Sequence, residues 1–210
     1  MTNMERKKID KKEQINDAAV KIIAQKGYHE ATMQDIAHEA GLAVGTLYNY
    51  FNNKADLIIS IFHDKWEELQ KGINETTKDI QDFQDLQRTR FKYIINFFNK
   101  NPDYIRILFA QVTNFIVTEQ DLRERIVEII DLFTDDVVKH LEMGRELGYY
   151  QFRGNAKTIA SAILGIFHSF LVDSTIASKE IEEEDVNTIF NFIQNGLTQN
   201  KISKRIQLEE

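Results

Sequence analysis

Residues 27–54, GYHEATMQDIAHEAGLAVGTLYNYFNNK, are the stretch that decides how the rest of this chain is interpreted. The pattern predicts two short helices, 33–40 and 44–50, joined by a turn at Gly41. Helices of two turns bury little surface by themselves, so such a pair is stable only when it docks on a larger bundle. Two short helices around a tight glycine turn are typical of the helix-turn-helix, whose second helix enters the DNA major groove.

The residue types at the ends of these helices agree with that prediction. Thr32 and Asp35 have the spacing of a capping box, in which each side chain satisfies free backbone N–H groups at a helix start. Gly41 has the conformational freedom that a tight turn between helices requires. We expect Leu47 and Phe51 to anchor the second helix from behind.

In fixed register, this segment resembles the DNA-binding domain of TetR-family transcriptional regulators. The residues that match the family pattern are Gly27, Tyr28, Ala31, Thr32, Met33, Ile36, Ala37, Ala40, Gly41, Leu42, Gly45, Thr46, Leu47, Tyr48, Tyr50, Phe51, Asn53, Lys54 and Leu57. The resemblance runs from Lys11 to Leu57, and beyond it the chain agrees only in the number and length of its predicted helices. One departure is Ala43, where many relatives carry Ser, because Ala has no hydroxyl to cap the second helix. The segment is also similar to family members that respond to fatty acyl-CoA.

The resemblance implies that a double-stranded DNA operator is the partner of the helix-turn-helix. The side chains that we expect to contact bases or phosphates are those of Thr32, Met33, Val44, Gly45, Thr46, Tyr48, Asn49, Tyr50 and Lys54. A basic cluster near the start of the chain has two interpretations: it neutralises flanking phosphates, or it is a solvated, frayed terminus. Its members are Arg6, Lys7, Lys8, Lys11 and Lys12.

Composition narrows the class of protein. The chain has 210 residues and 42% apolar side chains, which is enough for a small domain and a larger one. The absence of Cys excludes disulfides and thiolate metal sites and suits the cytoplasm. We expect no membrane partner, because the first residues lack the apolar core of a signal peptide and no run approaches the ~18 apolar residues of a membrane span.

The acidic charge belongs to the downstream part of the chain. The net charge is −7, from 26 basic and 33 acidic residues. Residues 1–57 hold eight of each, so the imbalance of 18 basic against 25 acidic residues lies after Leu57. The net charge therefore does not argue against nucleic-acid binding by the first part.

Helical periodicity predicts an all-α fold of about nine helices. We assign residues 1–53 to a three-helix helix-turn-helix domain and residues 54–210 to a larger helical bundle for ligand binding and dimerisation. The predicted helices are 10–26, 33–40, 44–50, 54–77, 83–100, 102–117, 121–147, 155–178 and 184–200.

The resemblance implies that the bundle holds a pocket for a small hydrophobic or amphipathic inducer, with acyl-CoA-like compounds among the candidates. Fourteen Phe and one Trp are many aromatic rings to pack without gaps, and aromatic side chains often line such pockets. Taken singly, each of them is more often ordinary core than pocket, and a lone His such as His168 on an apolar helix is more often a satisfied core residue. The candidates are Phe62, Trp66, Phe91, Phe98, Leu108, Phe109, Val112, Phe115, Phe133, Phe167 and His168.

The predicted helix 155–178 carries apolar stripes on two sides, with small residues between them, so it is expected to be buried on two sides. One interpretation is that it and the last helix complete the core of a single chain. The other, implied by the resemblance, is a homodimer built by these helices. The interface candidates are Ile159, Ile163, Ile166, Phe170, Ile189, Phe190, Ile193 and Leu197.

These patterns favour a ligand-responsive transcriptional regulator, and the resemblance favours a repressor released from a palindromic operator over an activator. The alternative is a DNA-bound structural or adaptor protein with no small-molecule ligand. Catalysis is disfavoured, because the five His are scattered and the chain has neither an H-E-x-x-H motif nor a G-x-S-x-G elbow. We therefore expect no catalytic residue, no cofactor and no metal site.

Overall fold

The computed structural model describes residues 3–110, 120–177 and 179–198 of the chain. Within these ranges the secondary structure is helical throughout, which confirms the predicted all-α class. The helices in these described ranges are α1 (Asn3–Lys26), α2 (Met33–Glu39), α3 (Val44–Tyr48), α4 (Lys54–Thr77), α5 (Phe83–Asn99), α6 (Pro102–Ala110), α7 (Gln120–Glu146), α8 (Ala156–Ala177) and α9 (Glu183–Leu197). The predicted continuation of the sixth helix to residue 117, and residues 178 and 199–200, lie outside the described residues.

Local chemistry explains where most of these helices begin and end. Gly27, directly after α1, and Gly148, two residues after the last residue of α7, adopt φ of 81° and 79°, the left-handed conformation that glycine favours at a helix end. The side chain of Asn53 accepts from the Asp56 N–H at 2.8 Å and caps α4. Helix α1 begins seven residues before the predicted start, because the charged residues there are good helix formers once the turns after them are fixed.

The first three helices and the start of α4 share one closed core. Ile15 of α1, Ile36 of α2, Leu47 of α3 and Leu57 of α4 are completely buried in it. Each comes from a different helix, so removal of one of these side chains leaves a cavity that all four helices border. The short helices α2 and α3 are therefore held by tertiary packing, as their length requires.

Helix α4 connects this amino-terminal bundle to the rest of the molecule. It packs on α1 at one end and on α5 and α7 further along. Asp64 of α4 accepts hydrogen bonds from Lys12 and Asn16 of α1, at 2.8 and 2.7 Å. At the start of α4, Asp56 forms an ion pair with Arg125 of α7 at 2.7 Å. A movement of α7 relative to α4 thus acts directly on the end of α4 that lies beside the helix-turn-helix.

The larger bundle surrounds a space bordered by α4, α5, α7 and α8, with α9 packed on α5. Helix α8 is the least covered of its helices: in the apolar segment Ala156–Ser174 only 17% of the residues are buried. This segment is long and apolar enough to pass a composition test for a membrane span, which the sequence analysis had not anticipated. Core helices of soluble proteins have the same length and composition but are mostly buried, so α8 is distinguished by its open apolar face.

Candidate DNA-binding surface and ligand cavity

The turn between α2 and α3 has the geometry that its sequence predicts. The Thr32 hydroxyl accepts from the Asp35 N–H at 3.1 Å, and the Asp35 carboxylate accepts from the Thr32 N–H at 3.0 Å. Gly41 has φ of 64°, and the Leu42 N–H donates to the Ala37 carbonyl at 2.9 Å. The capping box defines the start of α2, and the glycine turn with its Leu42–Ala37 hydrogen bond defines the connection from α2 to α3.

Helix α3 presents a polar, open face on the side away from the core. Tyr48 is 50% exposed and is one of the large side chains most accessible to solvent. Gly45 and Asn49 are exposed beside it, and Val44, Thr46 and Tyr50 are half-buried at its edges, while Thr32 is exposed at the start of α2. A phenol, an amide and a hydroxyl on one helix face are hydrogen-bonding groups suited to base edges and phosphates.

Two of the predicted DNA contacts lie elsewhere. Met33 is buried in the amino-terminal core, because the first turn of α2 points its side chain inward. The Lys54 ammonium binds the carbonyls of Tyr28 and Ala31, the latter at 2.8 Å, and sits 4.1 Å from the centre of the Tyr28 ring. Lys54 therefore holds the loop before α2 to the start of α4. Lys12, a member of the basic cluster, is likewise engaged within the protein, because its ammonium forms an ion pair with Asp64.

The larger bundle encloses a cavity of about 320 Å³, here called the apolar chamber. For scale, an engineered apolar cavity of about 150 Å³ stays dry and binds benzene. Its walls come from four helices, and the residues that line it are Trp66, Leu69, Gln70, Ile73, Ile94, Phe98, Ile129, Ile130, Phe133, Asp136, Val137, Ile163, Leu164, Gly165, Phe167, His168 and Leu171. Ile130, Gly165 and His168 are exposed, so the chamber reaches the surface between α7 and α8.

The predicted pocket residues divide into five groups. Those that line the apolar chamber are Trp66, Phe98, Phe133, Phe167 and His168. Phe91 borders a second, smaller cavity, and Phe62 is fully buried against Tyr104. Leu108 and Phe109 belong to the last turn of α6, and Val112 and Phe115 lie outside the described residues.

One polar group in the apolar chamber has no partner in the described part of the chain. Gln70 projects from α4 between Leu69 and Ile73, and its Nε2 is buried without a hydrogen-bond acceptor. Leaving a buried donor unsatisfied costs about 1–3 kcal/mol. Because the surrounding wall is apolar, an acceptor oxygen on a bound molecule would remove this cost.

The second cavity, of about 100 Å³, adjoins the first, and its largely apolar lining includes a group of polar side chains: Gln87, Arg90, Asp136, His140 and Gln194. We call it the polar chamber. Its charged wall is an ion pair between Arg90 of α5 and Asp136 of α7, with Nη2 and Oδ2 2.6 Å apart. Arg90 is only 7% exposed, and a buried ion pair resists separation because each charge alone would be costly.

His140 lies next to this ion pair and is uncharged at neutral pH. Burial and the nearby Arg90 guanidinium lower the pKa of His140 to about 4. Its Nδ1 is 2.9 Å from the Gln87 Nε2, an amide nitrogen that only donates, so Nδ1 accepts and Nε2 carries the proton. On the other wall, the Tyr150 hydroxyl accepts from Gln194 at 3.0 Å, and burial raises the pKa of Tyr150.

The predicted dimer-interface residues lie in two different environments. On α8, Ile159, Ile163, Ile166 and Phe170 are half-buried, whereas on α9 the side chains of Ile189, Phe190, Ile193 and Leu197 are buried within the single chain. Those four face α5 and the polar chamber, since α9 packs there. The open surface consists instead of Phe192, 68% exposed on α9, and the small residues Ser161, Ala162, Gly165 and Ser169 of α8.

The sequence analysis did not predict the ion pair in the wall of the polar chamber. Arg90 and Asp136 were not singled out, although each occupies a position on an apolar stripe. Arg90 follows Phe83 at helical spacing and precedes Phe91, and Asp136 lies between Phe133 and Val137. An ionisable residue on such a stripe is the signal that predicts a buried pair, because a lone buried charge is rarely tolerated. No group of metal-binding side chains occurs among residues 3–110, 120–177 and 179–198.

Comparison with known proteins identifies the amino-terminal part. Residues 15–61 match the family described as bacterial regulatory proteins, tetR family. The fatty acid metabolism regulator protein of Bacillus subtilis is 43% identical over 116 residues, which are 55% of this chain and 55% of that protein. The transcriptional activator FasR of Mycolicibacterium smegmatis is 24% identical over 128 residues, 61% of this chain and 57% of that protein. The matches thus span little more than half the length of these relatives.

Solved structures agree over most of the chain. The fatty acid degradation regulator FadR from Bacillus halodurans superposes with a TM-score of 0.81 at 25% identity, covering 90% of this chain and 97% of that one. FadR from Bacillus subtilis, solved in complex with stearoyl-CoA, gives a TM-score of 0.78 at 23% identity, covering 88% and 98%. The helix-turn-helix geometry and the matched segment lead to one conclusion: the amino-terminal part of this chain, residues 15–61, carries the DNA-binding domain of the tetR family of bacterial regulatory proteins, within a chain that shares the all-α fold of these solved structures.

Proposed function

We propose that this protein is a ligand-responsive transcriptional repressor, released from a palindromic DNA operator by an amphipathic molecule with a long apolar chain, such as a fatty acyl-CoA. The observation that carries the proposal is the apolar chamber of about 320 Å³, one wall of which is α4. The same helix contributes Leu57 and Ile58 to the core beneath the helix-turn-helix. A molecule that fills the chamber therefore contacts the helix on which the DNA-binding unit rests.

The chemistry of the chamber supports an apolar chain with at least one acceptor oxygen. Its wall is built from aliphatic and aromatic side chains, and the unpartnered Nε2 of Gln70 faces that wall. A carbonyl oxygen at the head of an acyl chain is an acceptor of the required kind. The relatives named as fatty acid regulators support the same ligand class, although the similarity to them is partial.

The proposed mechanism is a shift between two arrangements of α4. In the DNA-bound arrangement, α7 is tied to the start of α4 by the ion pair between Arg125 and Asp56. A ligand that prefers a displaced α7 or α4 moves the helix-turn-helix through this connection. It shifts the equilibrium only by its difference in affinity for the two arrangements.

Operator binding is proposed to require a homodimer. A five-residue recognition helix makes few contacts, and helix-turn-helix proteins gain affinity by binding two half-sites with twofold symmetry. The open face of α8 with the exposed Phe192 of α9 supplies an apolar surface for this purpose. We assign DNA binding to residues 1–53 and ligand binding with dimerisation to residues 54–210.

The deciding experiment is a titration of the purified protein on the DNA upstream of its own gene, at fixed salt, with and without stearoyl-CoA. We expect specific binding that stearoyl-CoA reverses. Specific binding that no acyl-CoA of any chain length alters would favour a DNA-bound structural or adaptor protein. Transcription from the same DNA, measured with and without the protein, distinguishes repression from activation.

Tyr48→Ala is the matched control for DNA contact. We expect it to weaken operator binding about ten- to a hundredfold, because a good side-chain contact to a base contributes about 1–3 kcal/mol. Its unfolding midpoint should stay unchanged, since Tyr48 is half exposed. An equal loss of stability would show that Tyr48 packs rather than binds.

A further inference from the structure

The apolar chamber and the polar chamber are adjacent and share a wall. They share five lining residues, Ile94, Asp136, Val137, Ile163 and Phe167. Along α7 the apolar chamber begins at Ile129 and the polar chamber ends at Leu141, so the two chambers follow each other along this helix. A chain that fills the apolar chamber and extends past Phe167 therefore arrives among polar groups.

The polar chamber is rich in hydrogen-bond donors. Asp136 accepts one hydrogen bond from the guanidinium of Arg90, which has five N–H groups. His140 keeps its Nε2–H when Nδ1 accepts from Gln87, and the Tyr150 hydroxyl keeps its proton when it accepts from Gln194. Among the described residues, these remaining donors have no acceptor assigned to them. They are suited to an oxygen atom on a bound molecule.

The charge of the wall decides which kind of oxygen fits. Asp136 already neutralises Arg90 at 2.6 Å, and His140 is uncharged, so the wall has no net charge. A carboxylate would bring an uncompensated negative charge into a buried site, which is costly. A hydroxyl or carbonyl oxygen accepts from the same donors without adding charge.

We propose that the polar chamber is a subsite for an uncharged oxygen at the far end of the ligand's apolar chain, which selects ω-oxygenated chains over plain ones. This inference rests on the proposed function, because it requires a long-chain ligand in the apolar chamber. It refines that function: the head of the ligand stays at the end of the apolar chamber away from the polar chamber, toward the exposed Ile130 of α7, and the oxygenated tail lies between Arg90 and Tyr150.

The selectivity depends on the difference in affinity between a chain that ends in an oxygen and a chain that ends in a methyl group, each with its end in the polar chamber. The polar chamber is large enough for ordered water, which would satisfy its donors when no ligand is bound. A methyl group that displaces this water leaves the donors unsatisfied, whereas a hydroxyl replaces the lost hydrogen bonds. The expected preference is about three- to tenfold in affinity, the contribution of one buried hydrogen bond.

The test is a set of dissociation constants for the full-length protein with three matched probes: stearoyl-CoA, ω-hydroxystearoyl-CoA and ω-carboxystearoyl-CoA, each repeated with shorter chains down to dodecanoyl. We expect the ω-hydroxy probe to bind tightest at the chain length that reaches the polar chamber. Tyr150→Phe removes one donor and keeps the ring, and Gln87→Met removes the partner of His140. In either variant the ω-hydroxy advantage should vanish.

Phe98→Leu is the control, because Phe98 lines only the apolar chamber. It should weaken all three probes equally and leave the ω-hydroxy advantage intact. Equal affinity of the hydroxy and plain probes at every length, or an advantage that persists in both variants, would overturn the subsite while the proposed function stands. If the ω-carboxy probe bound most tightly of the three, the argument from the charge of the wall would be overturned. Failure of every probe to bind would remove the subsite together with the long-chain ligand.

Discussion

The amino-terminal bundle and the larger bundle differ in how completely they are filled. Leu47 and Leu57 are fully buried in a closed core, and Thr32 and Asp35 satisfy each other's backbone groups. The larger bundle leaves about 320 Å³ open, and within the described part of the chain the Nε2 of Gln70 has no hydrogen-bond partner. A DNA-binding domain must keep one conformation so that its side chains stay aligned with the groove. A ligand-binding domain must instead leave a cavity unfilled for its ligand, and the missing contacts lower its stability.

Because of this difference, a change of side-chain volume should have opposite effects on stability in the two regions. In the amino-terminal bundle any lost volume becomes a new cavity. In the larger bundle added volume enters space that already exists. The substitutions below test that contrast, beginning with the one that should have the largest effect.

Leu47→Ala should destabilise the protein by about 2–5 kcal/mol, the usual cost of a Leu-to-Ala change in a closed core. Leu47 is the buried anchor of the five-residue α3, so the recognition helix should lose its position as well. Denaturant unfolding, followed by circular dichroism, measures the loss. Tyr48→Ala, its exposed neighbour, should change the free energy of unfolding by less than about 0.5 kcal/mol. Similar losses for both variants would contradict the contrast.

Val137→Phe should be tolerated and should raise stability by about 0.5–2 kcal/mol, as cavity-filling changes commonly do. Val137 is half-buried and borders both chambers, so the larger ring enters the open space that they provide. Acyl-CoA binding should fall more than about tenfold, the equivalent of roughly 1.4 kcal/mol, while operator binding stays intact. Calorimetry with stearoyl-CoA and a DNA titration measure the two effects. A large loss of stability would mean that the space is not available to a side chain.

Arg125→Ala should weaken the effect of the ligand on operator binding without weakening ligand binding itself. The ion pair with Asp56 is partly exposed, and such pairs contribute at most about 1 kcal/mol, so the ligand's effect on operator affinity should shrink about two- to fivefold. The affinity for the ligand itself should not change. Lys157→Ala is the matched control, because it breaks a 2.9 Å pair with Asp131 within the larger bundle. If both variants behave alike, the pair at the start of α4 has no special role in coupling.

The same contrast explains what the sequence could predict. The capping box at Thr32, the positive φ at Gly41 and the burial of Leu47 follow from residues a few positions apart, and the structure has all three. The chamber depends on how α4, α5, α7 and α8 cross, which periodicity within one helix does not specify. Arg90 and Asp136 are 46 positions apart, so their pairing becomes visible only when α5 packs on α7. The buried face of α9 was misplaced for the same reason, because periodicity shows that a face is apolar but not which neighbour covers it.

The smallest effect expected is a pH dependence confined to the capping box. Hydrogen bonds from Lys26 and Thr32 lower the pKa of Asp35 from 3.8 to about 2. Because the folded-state pKa is the lower one, the stability that Asp35 contributes is present above pH 3.8 and is lost as the pH falls through about 2. Thr32→Ala should raise the Asp35 pKa and flatten this part of the stability curve, whereas Thr32→Ser, which keeps the hydroxyl, should not. Carboxyl NMR titration of the three proteins measures the pKa directly, and an unchanged value in Thr32→Ala would mean that Lys26 alone holds the carboxylate. In that case the start of α2 would depend on a charge contact with α1, and the amino-terminal bundle would be less locally determined than its capping box implies.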